Sequence, residues 1–161
     1  MKALVQRVAR ARVLVDGAVV GEIGPGLLAF VCALRGDGPR EAQKLAERVA
    51  RYRVFQDETG RMNVSALDRG LPILVVSQFT LAADGRKGRR PSFDQAAPPD
   101  VGEALIEAFR RALEGLGIRT QSGRFGASMQ VELVNDGPAT FSLEDQPEAP
   151  GPAGAASQVV A

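Results

Sequence analysis

A single α/β domain is the fold class this sequence predicts, and three patterns carry that expectation. Two short runs, Leu27 to Leu34 and Pro72 to Ser77, are apolar on both faces, as strands in the middle of a layered structure are. Two longer segments, residues 39–52 and 101–116, repeat apolar side chains at helical spacing. Around them lie alternating segments punctuated by turn residues, which read as further strands. The expected architecture is a layered β/β/α arrangement, a mostly antiparallel or mixed sheet covered by two main helices. At 161 residues and 45% hydrophobic content, the chain can bury one substantial core.

In order along the chain, Met1 to Val8 alternates across two faces, and Arg12 to Ile23 reads as a hairpin turning at Asp16-Gly17. Leu27 to Leu34 is the first buried strand. In the next segment Pro39 suits a first helical turn, and Ala42, Leu45, Ala46, Val49 and Ala50 form an apolar stripe. DETGRMN, residues 57–63, is expected as a loop leading to the second buried strand, which runs on into QFTL. Asp100 is expected to cap the second helix, with Glu103 completing a capping box and Val101, Leu105, Ala108, Ala112 and Leu116 on its buried face. Gly117 is its natural stop. Arg119 to Gly123 and Ser128 to Val134 read as extended, and TFSLE as a last short strand. From Asp145 the chain is rich in Pro, Gly and Ala with little to bury, so residues 145–161 are expected to be a disordered tail behind a domain of residues 1–144.

The absences narrow the chemistry. The chain has no His, no Trp and a single cysteine, Cys32. Serine and cysteine nucleophiles paired with His are therefore excluded, as are the usual zinc sites, and no metal or other cofactor is expected. Cys32 lies within an apolar run, where a packing thiol is the plain reading and a nucleophile the sharper one. A net charge of +1 gives no general attraction to nucleic acid, so a polyanion would have to meet a local patch. No apolar run reaches the roughly 18 residues of a membrane span, and the alternating N-terminal segment is unlike a signal peptide; the expected compartment is the cytosol, with no membrane partner.

Three constellations could carry function. Ser77-Gln78-Phe79-Thr80 brings two hydroxyls and an amide to the end of a buried strand, where a rigid backbone can hold reactive groups at an accessible edge. The same residues could equally satisfy nearby backbone groups. Arg86, Lys87, Arg89 and Arg90 place four cations in five positions, suited to phosphate or to a solvated loop, with Asp84 and Asp94 flanking the run without neutralising it. The third is VNDGPATF, Val134 to Phe141, in which the Gly137-Pro138 bond is one of the few kinds that adopt a cis peptide readily.

These residues, with MKALVQRV at the start, LVVSQFTLAAD, RPSF (Arg90 to Phe93) and GRFGASM (Gly123 to Met129), carry a resemblance to the D-aminoacyl-tRNA deacylase, or D-tyrosyl-tRNA deacylase, family. The resemblance runs from Met1 to about Glu144 with matching spacing. It implies a homodimer with the active site at the subunit interface, in which a cis Gly137-Pro138 dipeptide reaches into the neighbouring subunit's site. The Gly137 and Pro138 carbonyls would crowd the space an L-aminoacyl side chain needs, while a D-aminoacyl group or glycine fits. Ser77, Gln78, Phe79, Thr80 and Leu81 would form the pocket, with Phe79 and Gln78 on the terminal adenosine of tRNA. The resemblance also implies that Arg7 braces the cis-Pro loop and that Met129 is a pocket-floor residue near it; an exposed strand arginine and a core methionine are the plain alternatives.

Thr80 has been proposed as a nucleophile in that family. A threonine hydroxyl needs a base, and this chain offers no His. The aminoacyl ester is already activated, so attack by water assisted by the neighbouring ribose hydroxyl suits the composition better, with backbone N–H groups around Phe79 and Thr80 stabilising the oxyanion. Two departures stand out: Ala139 where the family has a larger Val, which would loosen the loop's packing, and Ser122 where Thr is common. The implied activity is hydrolysis of D-aminoacyl-tRNA, and of glycine mischarged onto tRNA (Gly-tRNA), as chirality proofreading in translation. The alternative is a non-catalytic tRNA or single-stranded nucleic acid binding protein using Phe79 and the Arg86 to Arg90 run.

Overall fold

The first element is longer than its pattern suggests. In the computed structural model, which describes residues 1–86 and 88–145, β1 is one continuous strand, Lys2–Val15. The other elements are β2 (Ala18–Ile23), β3 (Gly26–Cys32), α1 (Pro39–Arg51), β4 (Arg53–Gln56), β5 (Met62–Ser65), α2 (Ala66–Arg69), β6 (Ile73–Ser77), α3 (Pro99–Gly115), β7 (Thr120–Ser122) and β8 (Gln130–Glu144). Lys87 and residues 146–161, most of the expected tail, lie outside the described residues. Asp145 belongs with the domain: its N–H donates to the Met1 carbonyl at 2.9 Å.

The alternation of β1 slips where buried Arg7 and Val8 are followed by exposed Ala9 and Arg10, which is why its pattern reads as two strands in place of one. Asp16 and Gly17 turn the chain with φ of 51° and 78°, as a two-residue hairpin requires. β2 pairs with β1 over Ala11↔Ile23 to Val15↔Ala18, and β3 pairs on the same edge over Lys2↔Cys32 to Val8↔Gly26. β3 continues in parallel to β6 (Leu27↔Ile73 to Val31↔Ser77), and β6 in parallel to β7. The opposite edge of β1 is taken by β8, giving a six-stranded mixed sheet. The sheet curls towards closure: a Cβ on Gly21 of β2 would lie 2.5 Å from the Ser122 carbonyl of β7.

The parallel β3–β6 pair requires a crossover, and residues 33–72 supply it. α1 buries Ala42, Leu45, Ala46, Val49 and Ala50, the expected stripe. Residues 57–61 of the expected loop form the turn of a small antiparallel hairpin, β4–β5, whose second strand takes in Met62 and Asn63, and a single capped turn, α2, follows. α3 departs from expectation at its start. Its N-cap is Pro98, with Pro99 at the first helical position where no N–H is needed, so Asp100 sits inside the first turn and caps nothing. Its buried positions are Gly102, Leu105, Phe109 and Leu113; Val101 is exposed, and Ala108, Ala112 and Leu116 are half-buried. Gly117 does end it, at φ 87°, with the Ile118 N–H returning to the Leu113 carbonyl at 3.1 Å.

Both long helices cover one face of the sheet, where Leu45, Val49, Leu105, Phe109 and Leu113 meet Val5, Leu27, Ala29, Val31, Ile73 and Val75. The opposite face carries a second cluster around Val8, Val13, Leu28, Leu74 and Val76. Its outer members Val20, Phe30, Met129, Val131 and Leu133 remain half-buried.

The start of β3 sets the register of the central parallel pair. A Cβ on Gly26 would collide with the Pro72 carbonyl, which accepts the Leu27 N–H at 3.1 Å. Gly26→Ala should therefore destabilise the fold by about 1–3 kcal/mol. The measurement is a lowered urea midpoint with the slope unchanged.

Candidate functional site

The parallel pairing of β3 and β6 brings Ser77 beside Val31, and the Gln78 N–H extends the ladder by one bond to the Val31 carbonyl at 2.8 Å. The chain then winds into a short 3-10 helix, Phe79–Ala82. Leu81 and Ala83 donate back to Gln78 and Thr80, at 3.2 and 3.0 Å. The N–H groups of Phe79 and Thr80, opening that turn, find no acceptor among the described residues. This is the geometry that leaves donors free at any helical start.

Beside this turn is a cavity of about 320 Å³. Cys32, Ala33, Ser77 and Phe79 form one wall, and Ala96, Ala97, Gly102, Ile106 and Phe125 form the other. Phe79 is 60% exposed and meets Phe93 edge to face, with centroids 5.1 Å apart. A large exposed ring at the mouth of an apolar cavity is a stacking platform for a flat ligand.

The cavity's polar groups are few and mostly neutral. Gln78 Nε2 donates to the Thr80 hydroxyl, so that oxygen is held as an acceptor by an amide, which cannot serve as a base. Burial pushes the Cys32 thiol up, and the Ala82 backbone with the positive charges of Lys2 and the N-terminus offsets this only in part. Its Sγ lies 3.4 Å from the Ala33 carbonyl and 3.6 Å from that of Phe79. Cys32 is thus a packing thiol on the cavity wall. No Asp, Glu or Lys lines the cavity among the described residues. What the arrangement offers chemically is an apolar slot, a stacking ring and two free N–H donors.

The basic run springs from the rim. Asp84 and Ser92 exchange backbone hydrogen bonds at 2.8 and 2.9 Å, closing the loop at its base, and Ala96 and Ala97 beyond it line the cavity. Contrary to expectation, Asp84 does neutralise part of the run. Arg86 folds back on it, with Nη2 2.6 Å from Oδ2 and Nε 2.9 Å from Oδ1. The guanidinium hydrogen bonds lower the Asp84 carboxyl to about 2. Because the pKa is depressed, the pairing is complete above the ordinary carboxylate range and is lost as pH falls through about 2. Arg89 and Arg90 are exposed in the same loop.

The Gly137-Pro138 bond is cis, as expected. Both residues are exposed, and neither lines the cavity of its own chain. Arg7 is buried beneath them: its Nε donates to the Asp136 carbonyl and lies 3.0 Å from Asp136 Oδ2, and its Nη1 donates to the Val54 carbonyl. The guanidinium therefore joins the β4–β5 hairpin to the loop. Met129 packs into the second apolar cluster, so close to Gly123 that a Cβ there would lie 2.5 Å from its sulfur, and it is not among the cavity's lining residues.

Sequence reasoning placed Ser77 and Phe79 and missed the facing wall. Ala96, Ala97, Gly102, Ile106 and Phe125 come from the segment before α3, from α3 and from the turn before β8, and nothing local marks them. GRFGASM contains Phe125 and Gly126, so that signal was present without a role attached.

The profile of the family described as D-Tyr-tRNA(Tyr) deacylase matches residues 4–144. A D-aminoacyl-tRNA deacylase of Halorhodospira halophila is 60% identical over 153 residues, 94% of this chain and 99% of the relative. One from Ruegeria pomeroyi is 56% identical over 144 residues, 89% of this chain and 99% of the relative. Among solved structures, one named c-Myc DNA Unwinding Element Binding Protein superimposes with a TM-score of 0.85 at 38% identity, covering 91% of this chain and all of that one.

Arg7→Lys keeps the charge but not the fork that spans the Val54 and Asp136 carbonyls. It should destabilise the protein by about 1–3 kcal/mol. In a thermal melt that is a drop of about 2–4 °C per kcal/mol. A 13C NMR titration of the Asp84 carboxyl should have its midpoint at about 2, moving up towards the ordinary range in Arg86→Ala.

Proposed function

The chain belongs to the D-Tyr-tRNA(Tyr) deacylase family, and on that premise we propose that it removes D-amino acids, and glycine, from mischarged tRNA in the cytosol, as a homodimer whose two sites each need both subunits. The reaction is ester hydrolysis. Water adds to the aminoacyl carbonyl, the bond to the ribose oxygen breaks, that oxygen takes up a proton, and free amino acid and intact tRNA leave.

The observation that carries this reading is the pair of N–H groups at Phe79 and Thr80, which open the turn beside an apolar cavity and find no acceptor among the described residues. Donors fixed in advance on a developing oxyanion lower the barrier without a proton-transferring side chain. The adenine of the terminal nucleotide would occupy the cavity against Phe79, with Gln78 at its edge, which brings the ester to the two donors. The neighbouring ribose hydroxyl then assists the attacking water. Thr80 contributes its backbone N–H, its hydroxyl being engaged by Gln78.

Dimerisation is supported by the half-exposed apolar face around Phe30, Val131 and Leu133. It is supported also by the exposed Gly137-Pro138 loop, which is braced by Arg7 yet does not line the cavity beside Phe79 of its own chain. Inserted into the neighbouring site, its carbonyls would occupy the space of an L side chain. Met129, beside Val13 at the far end of the β1–β8 pair, would support the loop that the neighbouring subunit inserts. Arg89 and Arg90, with Lys87 beside them in sequence, would hold acceptor-end phosphates, whereas Arg86 is engaged by Asp84.

A second reading, nucleic-acid binding without turnover, draws on the 38% identical structure, a protein named for binding a DNA unwinding element, and on exposed Phe79 beside Arg89 and Arg90. The two separate when D-tyrosyl-tRNA and L-tyrosyl-tRNA are each incubated with the protein. Loss of charging from the D form alone is expected, and binding with no loss from either would establish the second reading.

Thr80→Ala should retain activity to within about tenfold, while substrate ending in a 2′-deoxyribose should lose about a hundredfold or more. Arg89→Ala and Arg90→Ala should each weaken tRNA binding and flatten the salt dependence by roughly one unit in the log–log slope, with Arg86→Ala doing much less.

A further inference from the structure

β8 pairs with β1 as two separate ladders. Lys2↔Glu144 to Gln6↔Thr140 is one, Val8↔Asn135 to Leu14↔Gln130 the other. Between them, Asp136 to Ala139 stand opposite Arg7 alone, so four residues leave the ladder together. A loop of this kind strands the backbone groups at its base, which need partners elsewhere. The Asn135 side chain supplies them. Its Nδ2 donates to the Arg7 carbonyl at 3.0 Å and reaches the Ala139 carbonyl at 3.4 Å, tying both ends of the loop to β1 with one amide. Its Oδ1 lies beneath Gly137, 2.8 Å from where a Cβ would stand. The φ of Gly137 is not positive, so what a Cβ there would disturb is space, and that space is held by the Asn135 side chain, which would have to leave its place.

We infer that Asn135 is the positioning residue of the loop: its amide closes the base and seats Gly137, and so sets where the Gly137 and Pro138 carbonyls point. Arg7 holds the Asp136 end from below, and Asn135 fixes the span between the two ladders. The inference rests on the reading of this loop as the element that refuses L-aminoacyl groups. Its consequence is specific, because a loop free to shift would admit what it should exclude, whereas the donors at Phe79 and Thr80 belong to another element. Asparagine can do this and aspartate cannot, since a carboxylate of the same shape has no N–H for the two carbonyls and would repel them.

The experiment compares kcat/KM for D-tyrosyl-tRNA and L-tyrosyl-tRNA in the wild type, Asn135→Ala and Asn135→Asp, as full-length protein. Both variants are expected to lose about tenfold or more of the D over L preference, chiefly by faster L hydrolysis. A second measurement uses Gly137→Ala, which should be harmful alone and partly rescued when combined with Asn135→Ala, because the obstructing oxygen is gone. If D and L rates in the Asn135 variants fall by the same factor, or the preference is unchanged, Asn135 is merely structural and the inference is overturned. The same holds if the two substitutions add without rescue. A wild type that fails to distinguish the two substrates overturns the loop's assigned role itself, an outcome visible before any variant is made. Should Asn135→Ala not fold, the near-isosteric Asn135→Asp carries the test.

Discussion

The buried guanidinium of Arg7 is the constraint around which the rest is arranged. β1 pairs along both edges, with β2 and β3 on one side and with β8 on the other, and the widest break in the β8 ladder lies opposite residue 7. A charged side chain at 6% exposure has to be matched by acceptors in fixed places. Two of these are carbonyls, of Val54 and Asp136, from segments that share no ladder with each other. The β4–β5 hairpin thus has a role beyond filling the crossover. It delivers the Val54 carbonyl to the underside of a loop more than 80 residues further along the sequence.

The two halves of the proposed site use the backbone in opposite ways. At the end of β6, parallel pairing with β3 runs out and the tight turn that follows leaves two donors without an acceptor among the described residues, which is what an oxyanion needs. At the break in β8, the Arg7 and Asn135 side chains satisfy the stranded carbonyls, and in the proposed site those of Gly137 and Pro138 would exclude an unwanted substituent. A chain without histidine can then hydrolyse an activated ester, because positioning and electrostatic stabilisation together supply several kcal/mol before any proton-transfer group is counted. In the proposed complex the apolar cavity would serve both, holding the terminal nucleotide so that the aminoacyl carbonyl meets the donors and the aminoacyl side chain meets the neighbouring subunit's loop.

Much of the fold was legible wherever one local pattern decided it. β3 and β6 announced themselves by being apolar on both faces, and α1 by a stripe the structure reproduces residue for residue. The turn at Asp16-Gly17 followed from the two positive φ values it requires. Legibility failed where a non-local partner decides. β1 reads as two strands because its alternation changes phase at Val8, and only pairing with β8 across that slip shows the continuity. Asp100 and Glu103 make a plausible cap, but Pro98 and Pro99 begin the helix earlier and rotate the true stripe onto Gly102, Leu105, Phe109 and Leu113. β4 and β5 are four residues each, too short for a period to register. The cavity divides likewise: Ser77 ends a strand the sequence identifies and Phe79 opens the turn just beyond it, while Ala96, Gly102 and Phe125 meet them only through the packing of α3.

Ala139 shows how the same distinction bears on substitution. The resemblance, which implies a larger Val at this position, leads one to expect a loosely packed loop. In the structure Ala139 is 2% exposed, and the contact that closes the loop is made by its carbonyl, with Asn135. A backbone acceptor is indifferent to which side chain it carries, so the missing methyl groups remove packing next to the loop without removing the bond that locates it. The burden of holding the loop moves from volume at 139 to hydrogen bonds at 7 and 135. A directional bond keeps a pair of carbonyls aimed, whereas a methyl group against a wall would only keep them near.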